Sequence, residues 1–92
     1  MLEAFAYVSS KFETDMMIKI MDYKGNILTM FTCWSYKKAP EFATKWGIKA
    51  GYNINWIANP WANADVATSI RMYEESAGFK MNGQEIKEHI AW

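Results

Sequence analysis

The stretch "DMMIKIMDYKGNILTMFTCW", residues 15–34, decides the fold. It contains two runs of β-prone residues joined through Tyr23-Lys24-Gly25, which reads as a β-hairpin. Gly25 is expected in the left-handed position of a three-residue loop, where glycine carries no steric penalty. On the first run Met16, Ile18 and Ile20 share one face, and Met17, Lys19 and Met21 the other. On the second, Leu28, Met30, Thr32 and Trp34 oppose Ile27, Thr29, Phe31 and Cys33. Both faces are fairly apolar. The hairpin should therefore lie centrally, one face under helices and the other partly covered, with a homodimer through that second face as one way to cover it.

Upstream, residues 2–9 alternate, with Leu2, Ala4, Ala6 and Val8 against Glu3, Phe5, Tyr7 and Ser9. A third strand is expected there. Downstream the period changes. Pro40 suits a first helical turn, Phe42 and Trp46 share a face, Glu41 and Lys45 are spaced as an i,i+4 pair, and Gly51 is a natural stop. A helix is expected over about 40–50, although Gly47 in its interior counts against it. "YNINWI" (52–57) alternates again as a short strand, with Tyr52, Ile54 and Trp56 opposite Asn53, Asn55 and Ile57. Asn59-Pro60 then reads as a helix entry, with Asn63 a competing cap. Ala62, Val66, Ile70, Tyr73 and Ala77 predict a helix over about 61–76, with Arg71 and Glu75 paired along it. A last short helix is expected in "NGQEIKEHIAW". The expectation is one α+β domain over residues 1–92. Its antiparallel sheet has three to four strands, and two to three helices pack on one face.

The chain has 92 residues, 51% of them hydrophobic, and ten acidic groups balance ten basic ones. A neutral chain is a poor general binder of polyanions, so duplex nucleic acid is not an expected partner. The single cysteine, Cys33, permits no intrachain disulfide and fits a reducing compartment. The opening "MLEAFAYVSS" lacks the basic start of a signal peptide, and no apolar run reaches the roughly 18 residues of a membrane span. A cytoplasmic location is expected.

Catalytic signatures are missing. The glycines form no phosphate-binding loop, and no metal-ligand spacing occurs. His89, the only histidine, has Glu85 one turn before it, an ordinary helix-surface contact. Cys33 lies in a strand with no local cation or helix terminus to activate it, so a core thiol is favoured over a Cys33–His89 dyad. Asp15 and Asp22 look like strand-end charges, and Glu74 and Glu75 like solvated helix residues. No enzyme activity, cofactor or metal is expected.

The surplus lies elsewhere. Five tryptophans and seven methionines are many for this length, and both residue types are enriched in interface cores. Residues 34–52 carry Lys37, Lys38, Lys45 and Lys49 against Glu41 alone, interleaved with Trp34, Tyr36, Phe42, Trp46 and Tyr52. Such interleaving can stack bases and hold phosphates. The plainer reading is an amphipathic helix with lysines in solvent and aromatics in the core. "NINWIANPWANAD" (53–65) adds Trp56, Trp61 and four asparagines, more than one cap and one turn require. The expected function is a non-enzymatic protein-binding module contacting its partner through Asn53, Asn55, Trp56, Trp61, Trp34, Tyr36, Lys37, Lys38 and Trp92. Lysine outnumbers arginine nine to one, a bias of A/T-rich genes that suits a phage-type inhibitor of a host or defence complex. The alternative is a small-ligand, nucleotide or single-stranded nucleic acid binder with tryptophans as stacking plates.

Overall fold

In a computed structural model, residues 1–76 are described. The expected last helix, His89 and Trp92 lie outside them. The strands are β1 (Leu2–Lys11), β2 (Met16–Asp22), β3 (Ile27–Cys33) and β4 (Tyr52–Trp56). The α-helices are α1 (Ala39–Ala50) and α2 (Ala64–Ser76). The fold is α+β, around a four-stranded sheet of order β3-β2-β1-β4.

The β2–β3 hairpin forms as its sequence dictates, but at the side of the sheet and not at its centre, with β3 as an edge strand. Asp22 and Asn26 close a three-residue loop through Asp22 N–H to the Asn26 carbonyl (3.0 Å), and Gly25 takes φ +88°. The Asp22 carboxylate accepts from the backbone N–H groups of Lys24 and Asn26, each at 2.9 Å, and from Asn26 Nδ2 at 3.0 Å. What looked like a plain strand-end charge is the staple of this turn. Burial alone would raise the Asp22 carboxyl, but these hydrogen bonds and the Lys24 charge outweigh it and hold it below its ordinary value. β3 departs from strict alternation, because Ile20 faces Thr29 and Met21 faces Ile27. Leu28 is the extra residue of a bulge and turns onto the face of Ile18 and Ile20.

The sheet is antiparallel except at β4, which runs parallel to β1 with Ala4 opposite Ile54. A parallel neighbour needs a crossover, and α1 is that crossover, carrying the chain from the β3 edge to the β4 edge. Ala4, Ala6, Val8, Ile18 and Ile20 form the core on one side, with Ala39 and Ala43 of α1 packed against them. Phe5, Tyr7 and Met21 form a second core on the other side, with Val66 and Ile70 of α2. The two helices therefore divide between opposite faces instead of sharing one. The second apolar face, which the sequence leaves for another subunit, carries α2.

The expected helix over 61–76 breaks in two. A 3-10 turn spans Pro60–Ala62, with Asn59 Oδ1 accepting from Trp61 N–H. Asn63 Oδ1 then accepts from Val66 N–H at 3.0 Å and starts α2. Asn59 and Asn63 do not compete. Each caps its own element.

Gly47 is the contact point between α1 and β4. A Cβ there would run into Ile54 Cγ1 and stand 2.7 Å from the Tyr52 carbonyl oxygen. The missing side chain lets the helix lie against the strand, which is why a poor helix former sits mid-helix. Gly51, at φ +86°, ends α1 with its N–H on the Gly47 carbonyl.

Candidate functional site: an aromatic and basic surface beside α1

The candidate surface begins where β3 stops. Cys33 is buried, and its thiol donates to the Ser35 carbonyl at 3.1 Å. The same carbonyl accepts from the N–H groups of Lys38 and Ala39. This turn leads into α1 and leaves Trp34, Tyr36, Lys37 and Lys38 exposed. Trp34 is 69% exposed. Its ring centroid lies 6.0 Å from that of Phe42 on α1. Tyr36 meets Trp56 edge to face at 5.9 Å, and Trp46 stacks on Tyr52 at 5.8 Å.

These six aromatics divide into two groups. Phe42, Trp46, Tyr52 and Trp56 pack against the Ala4–Ile20 core and are half-buried. For them, and for exposed Lys45 and Lys49, the amphipathic-helix reading is sufficient. Trp34 and Tyr36 exceed what the core requires. Among the described residues the ion pair formed is Lys38–Glu41, at 3.9 Å between exposed groups, and not Glu41–Lys45. An exposed pair of this kind contributes little and leaves the basic character of the surface in place.

The remaining candidates lie elsewhere. Asn53 and Asn55 point to the face opposite α1. Asn53 Nδ2 donates to Glu3 Oε1 at 3.2 Å, and Asn55 Nδ2 to the Ala4 carbonyl at 3.3 Å and the Tyr23 hydroxyl at 3.5 Å. Close by, a shallow pocket of about 200 Å³ is lined by Leu2, Glu3, Tyr23 and Tyr52, among others. Trp61 is half-buried against the Phe5–Ile70 core, under the Arg71 guanidinium at 5.6 Å. Arg71 thus covers an indole in place of the ion pair expected with Glu75. Among the described residues the Trp61 Nε1 donor is buried without a hydrogen-bond partner. Trp92 lies outside the described residues.

A buried polar group escaped the sequence reading. Glu74 is only 4% exposed, not solvated, while Glu75 is exposed. The signal was available: Val66, Ile70 and Glu74 recur every fourth residue and share the inner face of α2. Lys19 is also buried, with Nζ 5.0 Å from the centre of the Tyr73 ring. Burial lowers its pKa, and the Glu74 charge partly opposes that. Tyr7, fully buried, donates its hydroxyl to Met21 Sδ at 3.5 Å. Its pKa is pushed well up by burial first, then by Glu74 and Tyr73.

No helix of the described residues is long and apolar enough to cross a membrane. In comparisons with known proteins, the chain matches no family model, no curated protein and no solved structure.

Proposed function

We propose that the protein is a non-enzymatic protein-binding module, and that Trp34, Tyr36, Lys37 and Lys38 contact a partner surface combining acidic and apolar groups. Trp56 supports the contact from behind by holding Tyr36. The observation that carries this reading is the exposure of Trp34 on a hydrogen-bonded turn. Tryptophan is the favoured hot-spot residue, and leaving most of an indole in water is costly unless something covers it. Lys37 and Lys38 would steer an acidic partner toward it. The asparagines at 53, 55, 59 and 63 leave this reading, since each has an intramolecular task.

A photo-reactive phenylalanine analogue at position 36 tests it, compared with the same analogue at Met72, which is exposed on α2. In cells that naturally express the protein, one dominant cross-linked protein from position 36 and none from 72 supports the proposal. Equal or absent cross-linking at both positions overturns it. The same exposed indole among lysines also favours a second reading, a nucleotide or single-stranded nucleic acid binder. Indole fluorescence titrated with mononucleotides and a short single-stranded oligonucleotide separates the two. Quenching that Trp34→Phe removes would favour nucleic acid, and a flat response would leave the protein partner.

A further inference from the structure

We infer that the open edge of β3 is a self-association surface, pairing with β3 of a second copy about a two-fold axis near Met30. Among the described residues β3 has one neighbour, β2. Its outer edge offers a row of unpaired backbone N–H and C=O groups, which another strand can satisfy. Natural edge strands are usually blunted by charges or proline. "ILTMFTC" has neither. Its bulge lies at Leu28 near one end, so Thr29–Cys33 remains regular. The other edge, β4, is shorter and carries Asn53 and Asn55, poor strand residues already engaged with β1 and Tyr23.

Two observations point to a second copy as the occupant. First, an antiparallel pair about a two-fold axis is self-complementary. Centred on Met30, it sets Thr29 against Phe31 of the other copy, two residues that share one face of β3, and the bulge at Leu28 confines the regular pairing to Thr29–Phe31. Second, the exposed apolar groups lie where such a pair would cover them. Met30 is 50% exposed at the centre, and Trp34, at 69%, follows directly on the strand's end.

The contact is small. The regularly paired stretch, Thr29–Phe31, is about 10 Å long, and the two indoles add on the order of 150 Å² each to the buried surface. That is the lower end of specific interfaces, so the dimer is expected to be weak and concentration-dependent. The inference does not rest on the partner-binding reading, although both use Trp34, so a second copy and a protein partner would compete for it.

The test is light scattering of the full chain across the micromolar range, with the variant Met30→Lys. The ammonium replaces an exposed side chain, so the fold is retained, as far-UV circular dichroism would verify. Across the axis it would face its own copy. Wild type shifting from monomer to dimer with concentration, and Met30→Lys remaining monomeric, is the expected result. Met30→Cys supplies a second readout. Directly opposed strand residues are close enough to bridge, so oxidised glutathione should give a disulfide dimer that wild type, with buried Cys33, does not form. A wild-type chain that stays monomeric at high micromolar concentration, with no Met30→Cys dimer, overturns the inference. Occupation of the edge by the chain's own residues 77–92 would give that same overturning result. Loss of partner cross-linking with self-association intact would count against the function proposal alone.

Discussion

Replacing Gly47 by alanine should destabilise the protein, although alanine is the better helix former. In an exposed helix interior, glycine to alanine gains about 1 kcal/mol. Here the new methyl would meet Ile54 Cγ1 and stand 2.7 Å from the Tyr52 carbonyl oxygen, against ordinary carbon–oxygen contacts of about 3.3 Å or more. Ile54 can adjust its rotamer. The carbonyl cannot move without moving β4, which is bonded to β1 along its length. α1 is equally restrained, because Gly51 alone joins it to β4. Overpacking costs about 1–3 kcal/mol, and a backbone obstacle favours the upper half of that range. Subtracting the propensity gain leaves a net loss of about 1–2 kcal/mol. For a domain of this size, that lowers Tm by about 4–16 °C. Urea unfolding followed by tryptophan fluorescence measures it, with exposed Thr44→Ala in the same helix as a control expected to gain a few tenths of a kcal/mol. A Gly47→Ala protein as stable as wild type, or more so, would show that the close α1–β4 approach is wrong.

Other outcomes follow from the same contacts. Asp22→Asn should cost on the order of 1 kcal/mol at neutral pH, because an amide cannot accept all three hydrogen bonds of the turn. The depressed Asp22 pKa stabilises the fold above the ordinary carboxylate value near 4. That contribution is lost as pH falls through the lower folded value, so Asp22→Asn should flatten the acid limb of a stability–pH curve. Tyr7 has the opposite sign: its raised pKa stabilises fully below about pH 10 and progressively less above it. Tyr7→Phe should therefore lose less stability than wild type between about pH 10 and 12 in denaturant titrations. Ile70→Ala empties a fully buried position under α2 and should cost about 2–5 kcal/mol in chemical denaturation.

Much of the fold was legible because its elements follow simple periods. The hairpin and its glycine turn, the alternation of β1 and β4, and both main helices could be read from residues 2–76. The parallel pairing of β4 was not, since strand direction depends on where a crossover lands. Nor was the division of helices between two faces, although Phe5, Tyr7 and Met21 on one side and Ala4, Ala6 and Ile20 on the other left apolar surface on both. The split at Asn63 was hidden because helical spacing runs through the 3-10 turn without interruption. Of the candidate site, the grouping of Trp34, Tyr36, Lys37 and Lys38 was visible as one segment. Which aromatics stay in solvent was not. Phe42 and Trp46 have the same character as Trp34, and only the placement of α1 over the sheet separates them.

The central claim is that the Trp34 turn binds a protein partner. The most direct measurement is the affinity of the cross-linked partner, once purified, for wild type, Trp34→Ala and Met72→Ala. Trp34 is mostly exposed, so its removal should leave the unfolding midpoint nearly unchanged. It should weaken binding at least tenfold, about 1.4 kcal/mol, while Met72→Ala binds as wild type. Equal affinity of Trp34→Ala and wild type, with both folded, would contradict the claim.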